Sequence, residues 1–269
     1  MARSKNRLDL ILVARELAGS RQKAQALIMA GRVRVDDQVV TKPGHLIDPS
    51  APIEVKATET EFVGRGGDKL RAAHVDLGFP IESRICLDAG ISTGGFTQYL
   101  LNNKAKLVIG IDVGYGQVAD PVRRNPRVHL LERTNIRHLT IDAIPARPQL
   151  ITLDLSFISL TKVIPNVLEL AAVEMDLIAM IKPQFEVGRE QVEKGGRVRS
   201  WPAIARVLKA FYELQTTWGV QLVGASPSRV YGLKKGNTEP FLWFSRGLDR
   251  QELPLDLVLD RCRPENLPD

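Results

Sequence analysis

Cysteine is nearly absent: Cys86 and Cys262 are the only two in 269 residues. Two thiols make neither a disulfide framework nor a zinc site, and such sparse use suits a reducing cytoplasm. Long apolar runs are missing too, and none approaches the ~18 residues that a membrane-spanning helix needs. The N-terminal MARSKNRLDL carries charge but no apolar stretch and no small-residue cleavage site, so no signal peptide is expected. Histidine stops early, with His138 the last of four. Internal repeats and low-complexity tracts are also lacking. Together these absences point to a cytoplasmic protein and away from secreted, membrane-spanning and metal-finger classes.

What remains is an ordinary globular composition, 44% hydrophobic and 25% charged, long enough for one large domain or two unequal ones. The net charge of +6 makes an anionic partner plausible. Its distribution says more. Residues 1–60 carry ten Lys/Arg against seven Asp/Glu, and Arg229, Lys234 and Lys235 cluster where residues 225–238 hold no acid.

Residues 8–18, LDLILVARELA, read as a helix that opens at Asp9 and stops at Gly19. Ser20 then caps a second helix, RQKAQALIMA, with Ala24, Leu27 and Ile28 as its apolar stripe and Gly31 as its stop. RVRVDDQVV reads as two short strands around Asp36-Asp37. A Lys-Pro-Gly turn and the strand Ile53-Glu54-Val55 complete a unit over residues 1–60, and the polar run 57–61 is a linker.

The R-L-D opening (Arg7, Leu8, Asp9), the S-R-x-x-A-Q-x-L-I-x-x-G-x-V-x-V core from Ser20 to Val35 and the basic edge resemble the αL motif. That small RNA-binding module is shared by a ribosomal small-subunit protein, some tyrosyl-tRNA synthetases and ribosomal pseudouridine synthases. The resemblance implies phosphate contacts from Arg15, Arg21, Lys23 and Arg32, with Arg7 beside them. Arg65, Arg229, Lys234 and Lys235 are further RNA-binding candidates. Clustering decides between this and a plain solvated helix face, because counterion release rewards only grouped charges.

Residues 61–80 read as a linker and a leading helix that carries Lys69. Over 81–269 short apolar runs alternate with longer helical stretches. The runs are ICLDAG, LVIGID, RVHLLER, LITLDLS, LIAMIKP, VQLVGAS and FLWFS, with helices near 95–102, 161–171 and 202–217. Seven such strands imply an α/β fold: a mostly parallel, Rossmann-like sheet covered on both faces. The last connection is too polar and glycine-rich for a crossover helix, so the final strand is expected to be antiparallel.

ICLDAGISTGGFTQYLL reads as strand, turn, helix, a loop that can hold a polar ligand against backbone N–H groups. A dinucleotide fold needs G-x-G-x-x-G, but Ser92 stands where the middle glycine belongs. Gly90-x-Ser92-x-Gly94 also matches a nucleophile elbow, yet a hydrolase needs a late histidine and none follows His138. A purely structural turn is a further alternative. An S-adenosylmethionine site fits best, since that ligand has no pyrophosphate. Asp88 would orient the loop or meet the methionine ammonium. Gly90 and Gly94 would let the chain pass close to the ligand. Asp112 would accept hydrogen bonds from ribose hydroxyls. Ser92, Gly95, Phe96 and Val113 complete the candidate cradle, with Asn135 at the adenine end and Asp154 at the reacting end.

Strand ends along one edge of an open α/β sheet line the ligand crevice. The sequence puts Asp154 after LITL and Lys182 after LIAMI on that rim. Lys69 opens a helix in GRGGDKLRAA, and Glu239 in KKGNTEP precedes the last strand. Read singly, a strand-terminal lysine is solvated and an aspartate caps a loop; the weight lies in the set.

R-G-G-x-K-L at 65–70, D-x-G-x-S-x-G-G-F-T at 88–97, D-V-G-Y-G at 112–116, T-N-I-R at 134–137, D-L-S-F-I-S-L at 154–160, K-P-Q-F-E at 182–186 and G-N-x-E at 236–239 resemble the TlyA-type (haemolysin A) family over nearly the whole chain. These are FtsJ-like rRNA 2′-O-methyltransferases with an N-terminal RNA-binding module. The resemblance implies a catalytic tetrad of Lys69, Asp154, Lys182 and Glu239, S-adenosylmethionine as cofactor, ribosomal RNA or subunits as partner, cytidine as the nucleoside and no metal. One departure is Gly64, where a serine is expected before R-G-G. A catalytically inactive RNA-binding assembly factor is the rival reading, and the family's name raises a membrane-lytic one.

The chemistry explains the residue types. A ribose hydroxyl is a poor nucleophile while protonated, so the enzyme must position it and take its proton. A free lysine has a pKa near 10.4; nearby positive charge and desolvation lower it, and carboxylates raise it. Lys182 is thus the candidate general base, steered by Asp154, with Lys69 and Glu239 completing the array. The alternative is a lysine that stays charged and only stabilises developing negative charge. Phe157 and Phe185 follow the catalytic strand ends and could stack on a base, although core packing is the plainer expectation. The polar segment 186–200 could be a lid or an ordinary loop.

Overall fold

The computed structural model describes residues 5–29, 31–55, 61–227 and 237–264, without the side chains of Gln22, Lys23 and Ala26. Arg229, Lys234, Lys235, most of the expected linker and the Lys23 side chain therefore lie outside the described residues. The chain divides into two compact units, Met1–Glu61 and Phe62–Asp269.

In the first unit, strand β1 (Asn6–Arg7) runs into helix α1 (Leu8–Ala14), and α2 (Arg21–Met29) follows. Three strands, β2 (Val33–Val35), β3 (Gln38–Val40) and β5 (Ile53–Val55), form an antiparallel sheet ordered β3-β2-β5, while β4 (Leu46–Ile47) pairs with β1. The β2–β3 turn places Asp36 and Asp37 at φ 49° and 61°, the left-handed pair that a tight hairpin demands and aspartate tolerates. Ala24 and Ile28 of the expected stripe are fully buried with Leu8, Leu12 and Val33. Helix α1 stops at Arg15, short of the expected Gly19. Glu16 turns left-handed (φ 59°), and the N–H groups of Leu17 and Ala18 both return to Leu12 O. That closes the helix early and buries Ala18 in the core.

The second unit opens with α3 (Gly66–Leu77). It then alternates β6 (Ile85–Ala89), α4 (Gly95–Asn102), β7 (Leu107–Ile111), α5 (Asp120–Arg123), β8 (Val128–Leu131), β9 (Leu150–Leu153), α6 (Ile164–Leu170), β10 (Met175–Met180), α7 (Pro183–Glu186), α8 (Trp201–Trp218), β11 (Gln221–Ser226), β12 (Phe241–Arg246) and α9 (Leu255–Cys262). The seven strands form one sheet in the order β11-β12-β10-β9-β6-β7-β8. β12 runs antiparallel to both β10 and β11, and the other observed pairings are parallel. The final strand is antiparallel as expected.

Strands β9 and β10 are buried along their whole length, as befits a sheet covered on both faces. Helix α8 is typical of the cover. Ser200 accepts from Ala203 N, Pro202 occupies the first turn and Gly219 ends the helix left-handed. Ile204, Val207, Leu208 and Phe211 turn inward at helical spacing. The expected helix over 161–171 splits into a 3-10 turn, Leu160–Lys162, and α6, because Pro165 fits only a first turn.

At the starting edge of the sheet, the fully buried Asp176 accepts from Arg84 (2.6 Å), Trp243 Nε1 (2.7 Å) and Arg250 (3.1 Å). Among the described residues no helix is long and apolar enough to cross a membrane, and no cluster of His, Cys, Asp and Glu suits a metal ion.

Candidate active site

Chain order reverses between β6 and β9. β7 and β8 extend the sheet on one side of β6, and β9 starts the other side. Such switch points open a crevice at the strand ends. Gly90 (φ 87°) leaves β6 there, and a side chain on it would run into the carbonyl of Asp154, which leaves β9. The glycine thus lets two strand exits touch. Beside them lies a cleft of about 420 Å³ whose walls include Gly90, Ser92, Asp112, Val113, Asn135 and Asp154.

Asp112 ties the cleft's walls together. Its two carboxylate oxygens accept from Ser92 N (2.8 Å) and Gly114 N (2.7 Å). Each oxygen keeps a lone pair for a further donor. Asp88 lies beneath the loop and does not line the cleft. It is fully buried and accepts from Thr97 Oγ1 (2.7 Å) and Thr152 Oγ1 (3.3 Å). Burial pushes its carboxyl up to about 7. It therefore orients the loop from below, through the first turn of α4. Gly94 (φ 97°) and Gly95 are packing positions: a side chain would meet Val122 at 2.9 Å in one case and Gly67 N at 2.7 Å in the other. Phe96 is a core residue set against Phe241, not a cleft wall. A side chain on Gly64 would collide with Thr93 Oγ1, so the serine expected there would need that exposed hydroxyl to turn aside.

Lys182 lies two residues beyond the end of β10, buried to 9% exposure. Its Nζ lies 2.6 Å from Asp154 Oδ1 and 2.9 Å from Ser156 Oγ, so it is not a wet strand terminus. Lys69, in the first turn of α3, meets Glu239 Oε2 at 2.5 Å, with both side chains under one-fifth exposed. The two pairs share a sheet edge. Met180 is registered with Phe241, and Ile181 N donates to Pro240 O at 2.8 Å. The next step along both strands brings Lys182 abreast of Glu239. Two amines and two acids from four distant segments therefore gather beside the cleft.

Around this group the two exits are stitched together. Glu186 accepts from Ser159 Oγ (2.6 Å) and Leu160 N (2.8 Å), and burial raises its carboxyl. Phe157 sits 5.2 Å from Phe185, centroid to centroid. Phe157 overturns the core-packing expectation: it is 90% exposed, left-handed (φ 66°) and on the cleft wall. Asn135 also lines the cleft, where its Oδ1 accepts from Arg137 N as the cap of a 3-10 turn. Segment 186–200 carries structure of its own, a 3-10 turn at Arg189–Gln191 and a bridge between Glu193 and Arg197. Asn237 anchors it by accepting from Val198 N and donating to Gly196 O and Gln184 Oε1.

Within the first unit, the fully buried Asp9 gathers Arg7 (2.9 and 3.0 Å), Arg21 (3.1 Å) and Gln25 (2.9 Å). Arg7 chiefly holds that carboxyl well below the usual range. Both arginines stay about half exposed. Arg15 donates to the carbonyls of Ala51 and Pro49, and Arg32 is half-buried. Arg65 is also half-buried and forms the N-cap of α3.

Ser156, Gln117 and Thr134 line the cleft without having been singled out from sequence. Ser156 had a signal, since D-L-S places it two residues beyond Asp154 on the same strand exit. Gln117 and Thr134 had none, because their place depends on how loops fold over β7 and β8.

Residues 62–243 match the model for FtsJ-like methyltransferases and residues 6–53 that for the S4 domain. The chain is 44% identical over 245 residues to the 16S/23S rRNA (cytidine-2′-O)-methyltransferase TlyA of Mycobacterium tuberculosis, spanning 91% of each. It is 37% identical over 235 residues to Hemolysin A of Brachyspira hyodysenteriae, spanning 87% of this chain and 97% of the relative. A solved structure from Streptococcus thermophilus superposes with a TM-score of 0.74 at 31% identity, covering 97% of this chain and 95% of the other.

Proposed function

We propose that this chain, which belongs to the FtsJ-like methyltransferase family and carries an S4 domain ahead of it, methylates a ribose 2′-hydroxyl of ribosomal RNA, with cytidine as the nucleoside. The observation that carries the reading is the paired arrangement of Lys182 with Asp154 and Lys69 with Glu239 on adjoining strand exits. The name of the Mycobacterium tuberculosis relative supports the substrate class, and the S4 unit supports RNA as the partner.

The cleft's residues fit S-adenosylmethionine. Its volume of about 420 Å³ lies within the usual range for a small-molecule site. The spare lone pairs of Asp112 suit the ribose hydroxyls of an adenosyl group, Asn135 suits its base, and Asp154 lies at the end nearest Lys182. When bound, the cofactor supplies a methyl group already activated on a sulfonium.

The protein's task is then to place the acceptor hydroxyl and manage its proton. Lys182 takes that proton, and Asp154 balances the charge that results. Glu239 and Lys69 hold the ribose from the neighbouring exit. Phe157 offers an exposed ring on which the target base stacks. A single-turnover rate measured against pH, with Lys182→Arg beside wild type, tests the base role. The arginine variant is expected to be inactive, and a near-native rate would reject the assignment. Transfer of tritium from labelled cofactor to ribosomal subunits separates this reading from an inactive assembly factor. Alkaline-resistant linkages in the product then locate the modified nucleotide.

A further inference from the structure

Lys182 has two polar partners within reach, and one of them belongs to no assigned role. Its Nζ lies 2.6 Å from Asp154 Oδ1 and 2.9 Å from Ser156 Oγ. A neutral amine carries two N–H bonds and one lone pair, and an ammonium carries three N–H bonds. With Asp154 as sole acceptor, the amine could turn about its Cε–Nζ bond and sweep its remaining positions around a cone. Lysine is a flexible stem with rotatable donors, so nothing in the side chain itself prevents that. A second acceptor removes the freedom. Two N–H bonds then have fixed destinations, and one direction is left.

The supports of Ser156 are built in the same way. Ser156 lies on the β9 exit between Asp154 and Ser159. Glu186 grips that exit through Ser159 Oγ and Leu160 N, and Phe157 packs beside Phe185. Each of these contacts joins the segment after β9 to the segment that Lys182 begins. The Ser156 hydroxyl, although its residue is exposed, is therefore carried on a loop pinned at three places to the lysine's own segment.

We infer that Ser156 is a positioning residue for methyl transfer: its hydroxyl accepts one N–H of Lys182 and so aims the amine's remaining face at the acceptor 2′-hydroxyl. In the neutral amine that face is the lone pair. As the ribose oxygen gains its methyl group, its proton moves onto that lone pair, and the resulting ammonium keeps Asp154 and Ser156 as acceptors for its other two N–H bonds. The inference rests on the reading of Lys182 as the group that handles the hydroxyl's proton.

Single-turnover methylation of ribosomal subunits at saturating cofactor, with Ser156→Ala, Ser156→Cys and Ser156→Thr, tests it. Ser156→Ala is expected to lower the maximal rate by about 10- to 100-fold, the scale of a misaimed catalytic group. Half-saturation for cofactor and RNA is expected to stay within about two-fold. Ser156→Thr, which keeps the hydroxyl, should recover most of the rate, and Ser156→Cys, a weak acceptor, should fall between. A wild-type rate for Ser156→Ala overturns the inference, and so does a loss confined to cofactor affinity, which would make Ser156 a cofactor ligand. Should Lys182→Arg stay inactive in either case, the proposed function survives. Should Lys182→Arg remain active, that reading fails first.

Discussion

Lys69 Nζ and Glu239 Oε2 lie 2.5 Å apart although 170 residues separate them in the chain. One comes from the first turn of the helix that opens the second unit, the other from the residues that lead into its last strand. A charge pair so far from local structure is a folded-state construction, and it should act as a unit. Lys69→Ala and Glu239→Ala are each expected to slow single-turnover methyl transfer by about 100-fold, and the double variant to be no slower than the worse single one. Rates that multiply in the double variant would mean that the two residues serve independent purposes.

Asp88 makes stability depend on pH in a direction unusual for a carboxylate. Burial raises its carboxyl to about 7 in the folded protein, against 3.8 for a free aspartate side chain. A raised acid takes up a proton on folding, so its contribution is fully present below pH ~4 and lost as pH rises through about 7. Above that pH the ionised group costs on the order of 4 kcal/mol. Asp88→Asn keeps an acceptor for Thr97 and avoids the charge. Its melting temperature without cofactor should exceed that of wild type at pH 8, and the gap should narrow markedly by pH 5 and close only below pH ~4. Equal gaps at both values would show that Asp88 stays ionised throughout.

Phe157 separates stability from activity. Nine-tenths of it faces solvent in a left-handed backbone position, so Phe157→Ala should leave the melting temperature unchanged or slightly raise it. Stacking on a base is worth about 1–3 kcal/mol by alanine substitution, so methylation of ribosomal subunits should fall by one to two orders of magnitude while Phe157→Trp keeps most of it. Unchanged activity in Phe157→Ala would remove the ring from the substrate site.

Asp9 is the counterpart in the first unit. Arg7, Arg21 and Gln25 all donate to it, and its carboxyl is held low chiefly by Arg7. A lowered acid stabilises the fold above its unfolded pKa, near 4, and the contribution fades as pH falls below it. Asp9→Asn should cost about 1–3 kcal/mol at pH 7, read as faster amide exchange over residues 8–35. The difference from wild type should narrow in acid. A loss that is the same at pH 3 and pH 7 would mean that shape, not charge, holds the arginines.

Much of this architecture could be read from the chain alone. The alternation of apolar runs with helical stretches pointed to the seven-stranded sheet and its antiparallel last strand, because strands buried on both faces are written as continuous apolar runs. The reading was less secure where a residue's surroundings rather than its period decide. The exposure of Phe157 follows from a left-handed turn after β9 that no pattern of hydrophobicity signals. Asp88 and Phe96 flank a glycine-rich loop, one at the end of β6 and the other at the start of α4, and only packing against Thr97, Thr152 and Phe241 shows that both side chains face the core. Ser156 carried only a faint signal, its place two residues beyond Asp154. Its importance depends on a lysine 26 residues away, and a lone serine beside an exposed phenylalanine looks like any loop residue.

One strand carries a further lesson. β10 carries Asp176 as its second residue, clasped by two arginines and a tryptophan, and leads out to Lys182, six residues later and roughly 20 Å away at the usual rise of a strand. Damage at the first position is expected to loosen the sheet without touching the reacting groups; under the role proposed for Lys182, damage at the second is expected to spare the sheet and stop the reaction. A genetic screen would sort the two ends cleanly, giving temperature-sensitive alleles at Asp176 and alleles null at every temperature at Lys182.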